Sequence, residues 1–285
     1  MRAIAVVLVL SGTLLEPFTV AAADLKPQAA RYTYAGYMGG IKIGWAETDI
    51  VVGQNRYLAK MKMETGGMMG WFLMWRHSSM ATGKILESDN TPFAGDNYRS
   101  SSFWKNKDRF IEVAYAAGVA RIAEAVPHPI KDEGRPAIPA NLLADVLDPL
   151  SAITAIGRII DATGSCNTSF GVFDGRRRYQ LQVIDSGDRK IGRSRYAPYG
   201  GEARRCDFIF KRVAGFKKLH TDDPARGSAY YRRVAQGAPL MPVQVAADTK
   251  YGGAVLHLQD IKLLNPDLAE QALIPDATLR DATHQ

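Results

Sequence analysis

Apolar and polar residues alternate along most of this chain with a period of two, the pattern of half-buried β-strands. Residues 31–37 (RYTYAGY) open an aromatic-rich strand. Ile41, Ile43 and Trp45, then Ile50 and Val52, continue the alternation with one phase slip near Glu47. Tyr57, Ala59, Met61 and Met63 alternate next, and residues 97–104, 109–116 and 119–126 follow in the same style. In the second half, residues 168–173 run into Asp174-Gly175, a favoured hairpin dipeptide, and Tyr179, Leu181 and Val183 alternate beyond it. Further strands are expected over 189–196, 205–212, 229–235, 243–248 and 254–263. Glycine- and aspartate-rich turns, such as Asp185-Ser186-Gly187-Asp188, separate them. Short strands joined by such turns predict a mainly β, antiparallel fold.

One segment breaks this pattern. Over residues 141–160 the apolar positions 142, 143, 146, 147, 150, 153, 156 and 160 recur at helical spacing. Asp148-Pro149 reads as an N-cap followed by a proline at the first helical position, so a fresh helix starts there. Four prolines (127, 129, 136 and 139) make the preceding stretch a loop between two β halves, about 30–126 and 147–263. The expected architecture is therefore a strongly curved antiparallel sheet, an open β-barrel, with one central helix covering its concave face. Such a sheet leaves an apolar hollow suited to a ligand. Residues 266–285 read as a polar tail.

The first residues carry a different signal. Met1-Arg2 is followed by the apolar run AIAVVLVL, then Pro17, then Ala21 and Ala23 at positions that must be small. This is the order of a cleavable secretory signal over residues 1–23, so a periplasmic protein beginning near Asp24 is expected. The run is too short for the roughly 20 residues that span a bilayer, and no transmembrane segment is expected elsewhere. The two cysteines, Cys166 and Cys206, read as one disulfide in an oxidising compartment.

The formal net charge is +7, with basic clusters at Arg176-Arg177-Arg178 and Arg204-Arg205. In an exported protein such clusters point to anionic envelope surfaces rather than nucleic acid. The histidines (His77, His128, His220, His257, His284) lie far apart and none neighbours a cysteine, so no metal site and no cofactor is implied. There is no G-x-S-x-G elbow, no phosphate-binding G-x-x-x-x-G-K-[ST] loop and no H-E-x-x-H, so no catalytic residue is assigned. The most unusual stretch is GGMMGWFLMW over residues 66–75. Its Met68, Trp71, Phe72 and Trp75, together with Trp45, are the candidate ligand-binding residues. Methionine adapts to varied apolar partners, and tryptophan suits the border between apolar and wet regions. The alternative is that the stretch belongs to the core.

Several short motifs, in order, resemble a family of exported bacterial proteins known as domain of unknown function 3108. They are Tyr32-x-Tyr34 leading to Ile43-Gly44, the Asp148-Pro149-Leu150-Ser151-Ala152 helix start, and Asp174-Gly175 with Tyr179-x-Leu181. Cys206, Met241-Pro242-Val243 and the closing strand 254–258 complete the set. The resemblance implies a periplasmic curved sheet similar to open barrels that carry lipoproteins or lipids. It implies no activity and carries over no functional residue.

Three functions are open at this level. The first is a non-enzymatic periplasmic protein that binds a lipid or other envelope amphiphile in its hollow. The second is an envelope scaffold that binds a protein partner through a strand edge or the basic face. The third is a hydrolase with a scattered site.

Overall fold

The computed structural model describes residues 27–66, 74–88, 92–217, 225–249 and 252–265. The signal segment, the tail from 266 and most of the Met/Trp stretch, including Met68, Trp71 and Phe72, lie outside the described residues.

Seven strands lead to the loop: β1 (Gln28–Met38), β2 (Ile41–Val52), β3 (Arg56–Thr65), β4 (Trp75–Ile85), β5 (Phe93–Trp104), β6 (Lys107–Ala116) and β7 (Val119–Val126). Then come β8 (Val146–Leu147), the helix α1 (Pro149–Thr163), β9 (Thr168–Phe173) and β10 (Arg178–Ile191). The described residues end with β11 (Gly201–Ala214), β12 (Ala225–Tyr231), β13 (Pro242–Thr249) and β14 (Gly252–Leu263). All fourteen strands form one sheet in the order 7-6-5-4-3-2-1-14-13-12-11-10-9-8. Each half is an antiparallel meander, and the halves join where β1 pairs with β14; only β8 and β9 run parallel.

The sheet curls until its two ends nearly meet. Ala120 N–H donates to Leu143 O (2.9 Å) and Asp145 N–H to Gly118 O (2.9 Å), beside a single bridge between Val119 and Ala144. The segment just before β8 thus spans the gap from β7 to β9, which leaves a nearly closed barrel. These contacts cover backbone groups at the start of β7 that an open sheet edge would expose. The proline-rich loop fastens the two halves at one end. Glu133, nearly buried, meets Arg176 (2.9 Å), Arg135 (2.7 Å) and Arg109 (3.5 Å).

Inside, the alternation seen in the sequence resolves into core. Tyr32 and Tyr34 point inward, and their hydroxyls donate to the carbonyls of Pro239 and Pro242 across the barrel. In β2 the phase slip near Glu47 is absent. Ala46, Thr48, Ile50 and Val52 are buried and Trp45 occupies the opposite face; pairing with β1 and β3 is regular through Glu47, and the ladder to β1 slips instead at Ile43, between Lys42 and Gly44. The polar Thr48 holds an inward position that hydropathy alone would not give it. Asp185-Ser186-Gly187-Asp188 is likewise no turn between strands. It is a bulge inside β10, with Gly187 at φ +72° and its N–H donating to Asp185 (2.8 Å). The one extra residue kinks the strand while the ladder with β11 continues on both sides.

The helix also starts later than its apolar periodicity suggests. Residues 140–142 form a single 3-10 turn and 146–147 a short strand; regular helix begins at Pro149. Asp148 is the cap, its carboxylate accepting from the N–H groups of Leu150 (2.9 Å) and Ser151 (3.0 Å). Gly164 ends the helix in the left-handed region at φ +70°. The helix lies inside the barrel against β3, β4, β5 and β9. Gly157 lets it approach the segment before β13, because a Cβ there would come within 1.9 Å of Leu240 O.

Candidate functional site

A cavity of about 220 Å³ lies between α1 and the inner faces of β10–β13. The helix contributes Pro149, Ala152, Ile153 and Ile156. Facing it are Tyr179, Leu181 and Val183 of β10 and Cys206, Phe208 and Phe210 of β11. Ala229, Tyr231, Pro242 and Val245 complete the wall, so no lining residue carries a formal charge. Burial pushes the phenols of Tyr179 and Tyr231 above their ordinary pKa, which keeps both neutral. Ile153 is 36% exposed although it belongs to the lining, which places an opening beside the helix. Cys206 pairs with Cys166 in a disulfide (Cα–Cα 6.1 Å), so the chain leaving α1 is tied to the cavity wall.

The wall follows from strand geometry. Directly paired residues share a face, and the ladder sets Val183 opposite Phe208 and Leu181 opposite Phe210. Tyr179 then stacks on Phe210, with 4.0 Å between centroids. Such a chamber can hold an apolar group; its lining supplies no general base or hydroxyl nucleophile apart from the two phenols.

Beside the cavity's helical wall lies a buried polar relay. Asp148 and Ser151 are fully buried. The Ser151 hydroxyl donates to Asp148, and the Tyr57 hydroxyl, 2.6 Å away, donates to Ser151. Burial is the largest influence on Asp148 and pushes its carboxyl up to about 6, against the hydrogen bonds from Ser151 and Leu150. A carboxyl whose pKa is raised by folding binds its proton more tightly in the folded state. Stability therefore falls as pH rises from about 4 to about 6. Relative to an Asp148→Asn variant, the loss over that window should be on the order of 3 kcal/mol. Urea unfolding of both proteins between pH 4 and pH 7 measures it; parallel curves would remove the effect.

Of the apolar candidates singled out from sequence, the two that are described, Trp45 and Trp75, lie away from this cavity. Trp45 is on the outer face of β2, with Glu47 and Asp49. Trp75 begins β4 on its inner face, stacked on His77 (5.8 Å), and does not line the cavity. Each arginine of the two clusters has partners within the chain. Arg176 holds Glu133 and the carbonyls of Pro127 and Phe110, and Arg177 holds Asp174. Arg178 donates to Leu142 O, Arg204 pairs with Asp185 (2.8 Å) and Arg205 with Asp207 (2.8 Å). The main lining residues were visible only as strand alternation at 179, 181 and 183 and as helical apolar positions 153 and 156. Among the described residues no helix is long and apolar enough to cross a membrane.

A family model described as protein of unknown function (DUF3108) matches residues 31–259, most of the chain. No curated protein matches. Among solved structures, the chain is similar to a crystal structure of a β-barrel-like protein of domain of unknown function DUF1849 from Brucella abortus. The two share 8% identity with a TM-score of 0.50, over 84% of this chain and 99% of that one. At that identity the likeness speaks for the barrel-like fold alone.

Proposed function

This chain belongs to the DUF3108 family, and from that premise we propose that it is an exported, non-enzymatic periplasmic protein that holds an apolar or amphiphilic envelope component inside its barrel. The observation that carries the reading is the uncharged cavity between α1 and β10–β13. A volume of about 220 Å³ is below the roughly 300–1,000 Å³ of drug-sized sites, so it suits one slender apolar chain. The cysteine pair and the N-terminal segment support export.

Native mass spectrometry with lipid extraction, on protein taken from its own periplasm without detergent, tests the reading. We expect a bound species of lipid mass in the wild type and its loss in Phe210→Asp, which sets a charge against the apolar wall. An apo mass with no lipid in the extract would overturn it. The same spectra read export: the chain should begin at or near Asp24, and an intact Met1 would end that part of the claim.

A second reading, a scaffold for an envelope protein, rests on β7. It ends one side of the sheet and exposes Ile122 and Val126. Strand addition at that edge would add backbone hydrogen bonds without using the cavity.

A further inference from the structure

The cavity wall is graded along its length. Cys206, Phe208, Phe210 and Arg212 of β11 stand directly opposite Asp185, Val183, Leu181 and Tyr179 of β10. All four therefore share one face, and along it run a disulfide, two phenyl rings and a guanidinium. The aromatic path continues past the lining. Phe210 meets Phe216 edge-on at 6.3 Å, and the guanidinium carbons of Arg212 and Arg177 lie 5.3 Å and 6.0 Å from the Phe216 centroid. At the opposite end Asp185 is neutralised. It accepts from Cys166 N–H (2.9 Å) and from Arg204 (2.8 Å), which holds its carboxyl below the usual range against the effect of burial. The chamber thus has a closed end at the disulfide, an uncharged middle and a cationic rim.

We propose that the ligand is a single-chain anionic amphiphile, with its alkyl chain along Phe208 and Phe210 toward the disulfide and its head at Arg212 and Arg177. The proposal rests on the cavity being a ligand site and adds the ligand's class and direction. The volume admits one chain, and the uncharged middle excludes a charge within it. The head leaves at the end where the Arg177 and Arg212 guanidiniums outnumber the Asp174 carboxylate, whereas at the other end Asp185 and Asp188 share the one guanidinium of Arg204. Arg177 already pairs with Asp174 (2.7 Å), so the head shares a guanidinium with that carboxylate; a guanidinium has five donors to divide.

Calorimetric titration of the delipidated, exported form with dodecanoate, dodecanol and dodecyltrimethylammonium, all below micelle formation, tests this. Dodecanoate should bind one to one and about tenfold tighter than dodecanol, as a charge-assisted contact requires, with the cation weakest. Arg177→Gln combined with Arg212→Gln should lower dodecanoate by about tenfold and dodecanol by much less, removing the preference for the anion. Arg212→Lys keeps the charge and should retain the preference, which separates a charge effect from damage to the fold. Lysophosphatidylglycerol run alongside distinguishes a phosphate head from a carboxylate; preference for either over the alcohol supports the inference. Equal binding of dodecanoate and dodecanol, both lost in Phe210→Asp, would overturn the anionic head and leave the cavity reading standing. No heat from any of the ligands would overturn both.

Discussion

Replacing Tyr57 with alanine should destabilise this protein by about 3–5 kcal/mol, the range for losing a large aromatic side chain from a packed core. Tyr57 has no exposed surface. Its ring stacks on Phe93 at 4.2 Å, and its hydroxyl reaches Ser151 in the first turn of α1 at 2.6 Å. Gly83, its partner across the ladder to β4, leaves room for the ring, since a Cβ there would sit 2.6 Å from it. Tyr57 is therefore where the first half of the sheet grips the helix. The alanine variant removes the packing and one member of the buried relay together. Tyr57→Phe removes only the hydroxyl and should lose about 1–2 kcal/mol, because Ser151 keeps its bond to Asp148. Urea unfolding of both variants, with unchanged slope, gives the two values. A loss under 1 kcal/mol for the alanine variant would mean that the helix is not seated there.

The second large effect is expected at the disulfide. Cys166 and Cys206 are 40 residues apart. Closing a loop of that length restricts the unfolded chain by an entropy worth about 4 kcal/mol. Cys166→Ser with Cys206→Ser should therefore lower stability by about that amount, within the roughly 2–5 kcal/mol seen when native disulfides are removed. Both sulfurs are buried, so the polar serine hydroxyls add to the loss. Thiol titration of the denatured exported protein should find no free cysteine. A serine pair as stable as the wild type would show that the covalent link adds nothing to the contacts around it.

The two effects converge on one element. Tyr57 holds the start of α1 and the disulfide holds its exit, and the helix face between them forms one wall of the cavity. Weakening either end should loosen the chamber before it disrupts the sheet, because the helix is attached to the barrel chiefly by side chains rather than by a hydrogen-bonded ladder.

Much of this organisation was legible in the residues themselves. Period-two alternation located most strands, since each strand of a filled barrel must turn one face to the core. Asp148-Pro149 marked the helix start, because capping depends only on neighbours in the chain. An even cysteine count paired Cys166 with Cys206. Other features depended on residues distant in sequence. Thr48 faces inward although it is polar, and Trp45 outward although it is large and apolar, because strand register decides which face is covered. Gly187 reads equally as a turn or a bulge until β11 is seen to continue past it. The cavity is the clearest case. Tyr179 and Leu181 were visible as alternating positions and 205–212 as a strand, but nothing local distinguishes a face packed tight from one held apart by a helix. The sequence by itself determined the strands, the helix cap and the cysteine pairing, all local or counting properties. Only the tertiary structure decided which apolar face stays unfilled and which end of it carries charge, because both depend on how α1 sits across strands that lie far from it along the chain.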